Sequence, residues 1–457
     1  MSVIVPISSL TPTILKKLDK DLHVKPIVQP LKSPIKTSSK LVEAFDTFKL
    51  DLGSNKSDND TSVAAIPFNY YYHHLEHIER IPNADFKPLS LKFEGNLLPR
   101  QKEVKDECIE TLNRTGSVVL SLHTGFGKTV MAIYLASKIK VQTIIICHRK
   151  IIMDQWVQSI NKYIPTATVR VLGEKMKRGY RGPEEQDVDF LICNVINIPK
   201  KDRMYFKNFG LVVIDEIHTI CTESFSRGLL YLFPDYIIGL SATPFRTDGM
   251  DRLIEIFCGP EIIYRKLYRP FNAYKIKTGF KPKTELNVSG TLDWNSVLED
   301  QAINKDRNNL IANICRYFIN RNILVLVKRK EHAEILKNML LQYGEDVDLF
   351  TGDSKECNYN CRILVATYSI SGVGFDHPRL DLLIGAADVL ENFTQYIGRI
   401  FRRDDVSAIY IDLVDEMATI KKHSLERLKI CKELGAEVKD FEKSFKDFFK
   451  MISYLNL

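Results

Sequence analysis

The strongest candidate for chemistry is a glycine-bearing segment, Thr124-Gly125-Phe126-Gly127-Lys128-Thr129. It follows the apolar run Val118–Leu122 and precedes a stretch with helical character. A strand, a glycine loop and a helix N-terminus together form a cradle in which backbone N–H groups converge on an anion. Lys128 would then reach the β- and γ-phosphates of a nucleotide, and Thr129 would hold Mg²⁺. The strict phosphate-loop pattern has glycine six residues before the lysine, where this chain has Leu122.

Two adjacent carboxylates, Asp215 and Glu216, form a second candidate and follow the apolar run Leu211–Ile214. At the carboxyl end of a strand, Asp215 is suited to hold Mg²⁺ through water, and Glu216 to orient or polarise the attacking water. Two acids after a strand can also be a helix N-cap and a first-turn charge. The presence of Lys128 upstream favours the nucleotide interpretation.

Two further polar segments are open to more than one interpretation. Ser241-Ala242-Thr243-Pro244 ends an apolar run and could be a plain turn and helix start. Gln395, Arg399 and Arg402 have helical spacing that predicts one shared face. That face could be an ordinary solvated surface, or it could carry arginine fingers directed at a γ-phosphate.

These side chains need strands and helices to position them, and the hydropathy pattern predicts an α/β fold. Short apolar, β-branched runs alternate with helical stretches, as in parallel strands that are buried on both faces. The pattern occurs twice, which predicts two tandem α/β domains. The predicted strands are Val118–Leu122, Thr143–Cys147, Phe190–Cys193, Leu211–Ile214 and Tyr236–Leu240, then Ile323–Val327, Val347–Phe350, Ile363–Ala366, Asp381–Ile384 and Ala408–Val414. Helices are predicted at Lys330–Tyr343 and Phe393–Arg402.

The predicted boundaries give an N-terminal extension (1–85), a nucleotide-binding domain (86–258), a basic linker (259–285), a second α/β domain (286–415) and a helical tail (416–457). Up to about residue 62 the extension is rich in Pro, Ser and Lys, which predicts a loosely built segment with one helix near Thr13 to Asp21. The aromatic stretch Phe68–His74 could pack on the next domain or stack on bases. The linker is either solvated chain with strand character or part of an electrostatic track for phosphates. Tail helices are expected at His423–Leu434 and Asp440–Ile452.

Length and composition bound the class of protein. The 457 residues allow about three domains. With 45% hydrophobic and 26% charged residues, the chain is neither collagen, nor fully disordered, nor a disulfide miniprotein. Its apolar runs are far shorter than the ~18 residues of a membrane span. The net charge of +7 suits a nucleic-acid partner, and nine cysteines without framework spacing fit a reducing compartment. No basic region precedes the first apolar stretch, so we expect an intracellular, soluble protein without a secretion signal.

The order of these segments resembles the superfamily 2 helicases and translocases over about Leu97 to Arg403. This resemblance implies two RecA-like parallel-sheet domains that use ATP and Mg²⁺. It rests on six segments in family order. They are Thr124–Thr129 (motif I), Cys147-His148-Arg149 with Gln155-Trp156 (motif Ia), Asp215-Glu216-Ile217-His218 (a DExH form of motif II), Ser241-Ala242-Thr243 (motif III), Thr367 with Gly372–Asp376 (motif V) and Gln395–Arg402 (motif VI). The segment Leu98–Gln101 also looks like the one whose glutamine reads adenine.

The resemblance also assigns roles to individual positions. Gln101 would contact adenine, Gly374 and Asp376 would line the interdomain cleft, and Gln395, Arg399 and Arg402 would belong to the catalytic site. His218, Ser241 and Thr243 would couple hydrolysis to domain movement. The nucleic-acid backbone would be touched by His148, Arg149, Asn194 and Thr367. His148 could equally be a packed histidine at a strand end.

Within the superfamily, the chain is most similar to XPB-like DNA helicases, phage UvsW-type enzymes and transcript-release helicases of poxviruses and other large DNA viruses. This finer similarity rests on segments that match less specifically than the six motifs, including Leu292–Ser296 and Arg427–Gly435. The implied function is an ATP-dependent DNA helicase or translocase in transcription, recombination or repair. If the protein is viral, its place is the host cytoplasm or the virion. Expected partners are single-stranded or forked DNA and the transcription machinery, with no membrane, and we expect a monomer. The alternatives are an RNA helicase and a non-catalytic scaffold that only binds nucleic acid.

Overall fold

Two compact units, Met1–Arg265 and Lys266–Leu457, make up the chain in a computed structural model. The structure describes residues 1–25, 42–51, 60–83, 85–123, 125–174, 183–241, 249–288, 290–352, 354, 358–371, 377–403 and 405–441. Among them, no helix combines the length and the apolar character that crossing a bilayer requires.

The first unit opens with a small antiparallel sheet. Its strands lie in the order β1, β5, β4, and β1 pairs with β5 from Ser2 opposite Pro67 to Pro6 opposite Val63. The helix predicted near Thr13 to Asp21 is confirmed as α1 (Pro12–Asp21). The prediction of a loosely built segment is wrong for the described residues, because the apolar β1 is buried and the N–H of Ser2 donates to the carbonyl of Leu232 at 2.8 Å. Residues 26–41 and 52–59, on which that prediction also fell, lie outside the described residues. The elements here are β1 (Ser2–Pro6), a 3₁₀ turn (Ile7–Ser9), α1 (Pro12–Asp21), β2 (His23–Val24), β3 (Val42–Glu43), β4 (Asp46–Asp51), β5 (Asp60–Pro67) and α2 (Phe68–His74).

The aromatic stretch forms helix α2 and packs. Phe68, Tyr70 and Tyr71 are buried. The buried Asn69 amide donates to the carbonyl of Phe257 at 3.2 Å and accepts from the hydroxyl of Ser117 at 3.1 Å. The packing interpretation of this stretch is thus confirmed.

A parallel sheet forms the core of the first unit. Among the described residues it has seven strands in the order β12, β6, β11, β10, β7, β9, β8. The strands are β6 (Ser117–Leu122), β7 (Thr143–Cys147), β8 (Val169–Val171), β9 (Phe190–Asn194), β10 (Leu211–Ile214), β11 (Tyr236–Ser241) and β12 (Ile262–Arg265). The helices are α3 (Pro99–Thr115), α4 (Lys128–Ile139), α5 (Lys150–Tyr163), α6 (Ile217–Ile220), α7 (Ser226–Leu229) and α8 (Asp251–Cys258), with 3₁₀ turns at Val195–Lys200 and Arg203–Phe206. Because parallel strands end at one edge, the segments after β6, β10 and β11 are brought together there.

A second parallel sheet forms the core of the other unit. Its described strands lie in the order β17, β18, β16, β19, β20, β13, β21. They are β13 (Phe271–Lys277), β16 (Ile323–Val327), β17 (Val347–Phe350), β18 (Ile363–Thr367), β19 (Leu382–Gly385), β20 (Ile409–Val414) and β21 (Ala436–Phe441), with a separate hairpin of β14 (Glu285–Leu286) and β15 (Leu292–Asp293). The helices are α9 (Trp294–Ile303), α10 (Lys305–Tyr317), α11 (Lys330–Gln342), α12 (Tyr368–Ser371), α13 (Phe393–Ile397) and α14 (Ala418–Glu433), with a 3₁₀ turn at Gly398–Ile400. The predicted α/β class, with two parallel sheets, is confirmed.

Two segments differ from their predicted form. The stretch 259–285, predicted as a linker, contributes β12 to the first sheet and β13 to the second. In the described part of the tail, residues 416–441, only α14 is helical. Gly435 has φ +100°, and a side chain there would meet the carbonyl oxygen of Arg269 at 2.8 Å. The chain then continues as β21 beside β13, so the helix predicted from Asp440 is wrong at its start, and its remainder from 442 lies outside the described residues.

Candidate functional site

The glycine loop lies between β6 and α4, as the sequence predicts. Gly125 and Gly127 have φ of +83° and +94°, a left-handed backbone that glycine adopts without strain. The ammonium group of Lys128 donates to the carbonyl of Leu122 at 3.1 Å, so the lysine folds back over the loop. Leu122, which stands where the strict pattern has glycine, is the last residue of β6 and is fully buried. Thr129 is half-buried in the first turn of α4, and Thr124 lies outside the described residues.

Two side chains of α3 donate hydrogen bonds to backbone carbonyls of this loop. The amide Nε2 of Gln101 donates to the carbonyl of Phe126 at 2.9 Å, and its Oε1 accepts from the N–H of Leu98 at 2.8 Å. Gln101 is only 3% exposed. Its amide, expected to contact adenine, is thus engaged with the loop backbone. Arg100, which sequence reasoning missed, donates to the carbonyl of Gly125 at 3.0 Å.

Asp215 is held at the end of β10 by three contacts. The indole N–H of Trp156 donates to its Oδ2 at 2.8 Å, the N–H of Glu216 donates to its Oδ1 at 2.9 Å, and its own N–H donates to the carbonyl of Ile146 at 3.0 Å. Burial, reinforced by the charge of Glu216, raises the pKa of Asp215 to about 6, and the Trp156 indole and Lys128 oppose this rise. Lys128 and Asp215 are therefore electrostatic neighbours. The role of Trp156 was not predicted, although the Gln155-Trp156 pair was a signal for it.

Glu216 and His218 connect this site to the next strand. Glu216 adopts φ +50°, a conformation that non-glycine residues rarely take and that is found preferentially at functional sites. Its buried Oε2 has no hydrogen-bond partner among the described residues and lies 3.5 Å from Nδ1 of His218. The same nitrogen lies 3.0 Å from the hydroxyl of Ser241, at the end of β11. An acceptor of this kind suits a water molecule, and the oxygen set of Thr129 and Asp215 suits Mg²⁺. Thr243 lies outside the described residues.

His148, Arg149 and Asn194 lie together at the ends of β7 and β9. The amide of Asn194 donates to the carbonyl of His148 at 3.3 Å, and Nδ1 of His148 is 3.2 Å from the hydroxyl of Thr219. That hydroxyl also donates to the carbonyl of Glu216 at 2.8 Å. Burial, followed by the charge of Arg149, lowers the pKa of His148 to about 4. His148 is thus a neutral, half-buried histidine, whereas the Arg149 side chain is exposed.

The second unit carries the remaining candidates. Thr367 ends β18, with its hydroxyl 3.2 Å from that of Ser369. Gly374 and Asp376 lie outside the described residues. The continuous helix predicted over 393–402 is wrong. Helix α13 ends at Ile397 and gives way to a 3₁₀ turn, since the buried Phe401 ring packs on Phe271 with ring centroids 5.0 Å apart.

The three polar side chains of this segment consequently do not share one helical face. Gln395 is buried and its Nε2 has no hydrogen-bond partner among the described residues. Arg399 lies in the 3₁₀ turn and is mostly buried. Arg402 follows the turn, is half-buried and contacts the carbonyl of Gly398 at 3.5 Å.

Comparisons with known proteins agree with this geometry. Residues 94–246 match the family "Type III restriction enzyme, res subunit". The chain is 38% identical over 377 residues to "Putative helicase 161L" of Invertebrate iridescent virus 6, covering 78% of this chain and 85% of that protein. It is 27% identical over 374 residues to "Putative ATP-dependent RNA helicase L396" of Acanthamoeba polyphaga mimivirus, covering 77% and 70%. A structure of S. cerevisiae Dbp5 bound to RNA and ADP BeF3 superposes with a TM-score of 0.56 at 14% identity, covering 79% of this chain and 97% of that one. The chain therefore belongs to the same helicase family as the iridescent virus protein.

Proposed function

We propose that this protein is a nucleic-acid-dependent ATPase that moves along or unwinds DNA during viral transcript release or recombination and repair. One observation carries the proposal most directly. Lys128, Asp215 and Glu216 lie at one edge of a parallel sheet, and Glu216 is connected through His218 to Ser241 on the neighbouring strand. A plain N-cap would not need a half-buried carboxylate pair beside a lysine and a glycine loop.

The chemistry assigned to each group follows from its type. The backbone of Gly125, Phe126 and Gly127 would bind phosphate oxygens, and Lys128 would neutralise the β- and γ-phosphates. Thr129 and Asp215 would hold Mg²⁺, which supplies charge neutralisation when bound. Glu216 would orient the attacking water.

The arginines of the second unit complete the proposal. Arg399 and Arg402 would stabilise charge on the transferring phosphoryl group, and Gln395 would help to position it. Gln101 would act on the nucleotide through the loop it holds, in addition to any contact with adenine. Gly374 and Asp376 are proposed as further nucleotide contacts.

Coupling to nucleic acid would pass through His218. Loss of the γ-phosphate changes the charge that faces Glu216, and His218 contacts both Glu216 and Ser241. Thr243 would act with Ser241. The backbone of a nucleic-acid strand would be gripped by His148, Arg149, Asn194 and Thr367. Phosphate contacts read no bases, so we expect weak sequence preference and strong salt dependence.

DNA is the proposed track because the resemblance to XPB-like and UvsW-type enzymes points to it. RNA is the second candidate, since the mimivirus relative is named as an RNA helicase. A scaffold without catalysis is disfavoured because Lys128, Asp215, Glu216 and Arg402 are all present.

The test is ATP turnover measured with single-stranded DNA, forked DNA, duplex DNA and single-stranded RNA, followed by strand displacement on the best stimulator. Lys128→Ala should reduce turnover roughly 100-fold or more, because the charge that opposes the phosphates is removed. Lys138→Ala is the matched control, since Lys138 is an exposed lysine of the same helix. If RNA stimulated ATP turnover more strongly than DNA, RNA would replace DNA as the proposed track. Equal turnover of both lysine variants would refute the nucleotide site.

A further inference from the structure

Helix α14 of the second unit carries a buried arginine whose hydrogen bonds reach the chain immediately before the segment of the proposed catalytic arginines. Arg427 lies in α14 and is 2% exposed. Its guanidinium has two groups of partners on different elements, one on strand β20 and one on the chain between β19 and α13. Each group of partners accepts hydrogen bonds from a different edge of the planar guanidinium.

The partner on the sheet is Asp412 of β20. Nε of Arg427 donates to Oδ1 of Asp412 at 2.9 Å, and Nη2 lies 2.8 Å from the same oxygen. The hydroxyls of Ser424 and Tyr410 also donate to this carboxylate, at 2.5 and 2.9 Å. Asp412 is thereby saturated and fixed, and it gives the guanidinium a rigid base.

The other partners lie on the segment that leads into α13. Nη1 of Arg427 donates to Oδ1 of Asp388 at 2.5 Å and to the carbonyl of Val389 at 2.8 Å. The second oxygen of Asp388 lies 2.5 Å from Nδ1 of His423, one turn earlier in α14. Helix α13 begins four residues after Val389, at Phe393. The arginine therefore fixes the backbone immediately before the segment that carries Gln395, Arg399 and Arg402.

Aromatic contacts extend the same connection into α13. The ring of Phe393 packs on that of Tyr410 with centroids 5.2 Å apart, and Tyr396 packs on Tyr368 at 4.8 Å. The hydroxyl of Tyr368 donates to the carbonyl of Ala387, the residue before Asp388. Displacing the segment before α13 would consequently displace the helix itself.

Stability alone does not explain this arrangement. A buried ion pair is often no more stabilising than apolar residues of the same volume, because desolvation offsets the attraction. What a planar guanidinium adds is fixed geometry at several acceptors at once. The bonds of Arg427 fix the position of a segment that, in the proposed mechanism, must present two arginines accurately.

We propose that Arg427 is a positioning residue for ATP hydrolysis, which fixes the segment of Arg399 and Arg402 through Asp388 and Val389. This inference rests on the proposed function. It makes α14 a required part of the motor, although none of its residues needs to touch the nucleotide.

The variant that tests it is Arg427→Lys, which keeps the charge but cannot bond Asp412, Asp388 and Val389 together. We expect kcat for nucleic-acid-stimulated ATP turnover to fall about 10- to 100-fold, with KM for ATP changed less than about threefold. The matched control is Arg307→Lys. Arg307 is also 2% exposed and bonds a buried carboxylate, Asp415, through Nε at 3.0 and 3.1 Å, but it has no bond to the segment before α13 among the described residues. Its kcat should stay within about twofold of the unmodified protein when both variants are folded.

A double-substitution cycle separates positioning from general damage. If Arg427 acts through Arg399 and Arg402, Arg427→Lys should lower kcat by a smaller factor in an Arg402→Ala background than in the unmodified protein. A merely structural role would lower kcat by the same factor in both backgrounds, and equally for Arg307→Lys. The inference would be overturned if Arg427→Lys lowered kcat by the same factor in both backgrounds, or if Arg307→Lys lowered kcat as much as Arg427→Lys does.

Amide hydrogen exchange provides a readout that does not depend on activity. Arg427→Lys should accelerate exchange over residues 389–400, and Arg307→Lys should leave that segment unchanged. Unchanged exchange over 389–400 in Arg427→Lys would overturn the positioning role. Accelerated exchange in a protein without ATP turnover would support the positioning of the segment and refute the proposed function instead.

Discussion

Gly127 offers the sharpest test of the phosphate-loop geometry. Its φ is +94°, and a methyl group there would lie 2.3 Å from Nε2 of Gln101. The left-handed backbone costs an alanine ~1–2 kcal/mol. Moving the amide away leaves the carbonyl of Phe126 without its donor, for a further ~1–3 kcal/mol. We therefore expect Gly127→Ala to cost roughly 2–5 kcal/mol in total.

This cost is divided between two measurable quantities. If the loop keeps its conformation, the free energy of unfolding of the first unit falls. If the loop relaxes, the affinity for a fluorescent ADP analogue falls instead. The chain has two tryptophans, Trp156 in the first unit and Trp294 in the second. In a Trp294→Phe background, urea unfolding followed by fluorescence thus reports on the first unit alone, and the two losses should together reach at least about 2 kcal/mol.

The control and the cycle isolate the contact itself. Gly173 has φ +78°, and a methyl group attached there would have no atom within 4 Å, so Gly173→Ala should show only the backbone cost. Adding Gln101→Ala to Gly127→Ala removes the clash, so the double variant should lose about 1–3 kcal/mol less than the sum of the single losses. The reasoning is refuted if Gly127→Ala costs no more than Gly173→Ala, or if the two single losses simply add.

Three further outcomes are expected. Trp156→Phe removes the donor to Asp215, so the pKa of that carboxyl should rise above about 6 and the acid limb of the ATP turnover profile should move to higher pH. Arg402→Ala should lower turnover roughly 100-fold while affinity for an ATP analogue changes little, as for a contact made in the transition state. Burial lowers the pKa of His332 to about 3. The unfolded chain therefore binds the extra proton, and the free energy of unfolding should fall by about 1.4 kcal/mol per pH unit between roughly pH 6 and 4. His148, whose pKa is lowered to about 4, adds to this slope. His332→Gln should therefore remove the share of the slope that His332 contributes in urea titrations, and His77→Gln, at an exposed histidine, should not.

The sheets could be predicted where their strands are continuous apolar runs. Thr143–Cys147, Leu211–Ile214 and Ile323–Val327 are found with the predicted bounds because such runs can only be buried on both faces. Strand β13 was predicted only as a linker that could have strand character, and β21 as part of the helical tail, because lysines and acids alternate with their apolar residues. Lys275 of β13 is paired across the strands with Asp440 of β21 at 2.7 Å, a contact that spacing along the chain does not reveal.

The candidate site likewise has features that the sequence predicts and features that it does not. Residue types at strand ends identified Lys128, Asp215 and Glu216, because parallel strands bring their carboxyl ends together. The hydrogen bond from Trp156 to Asp215 joins residues far apart in sequence, and it depends on the direction of each side chain. Gln101 was identified as a site residue from the resemblance, but its bond to the carbonyl of Phe126 required coordinates.

The place of β21 has a consequence for how the chain acquires its structure on the ribosome. Strand β13 is the first strand of the second sheet to be synthesised, yet its neighbours β20 and β21 are made last, roughly 170 residues later for the end of β21. At ~5–20 residues per second this delay is on the order of 10 to 30 s. Until β20 is made β13 has both edges unpaired, and until β21 is made it still has one; unpaired edges invite association with other chains. We therefore expect the first unit to fold during translation, whereas the second must wait for β21, its last described strand.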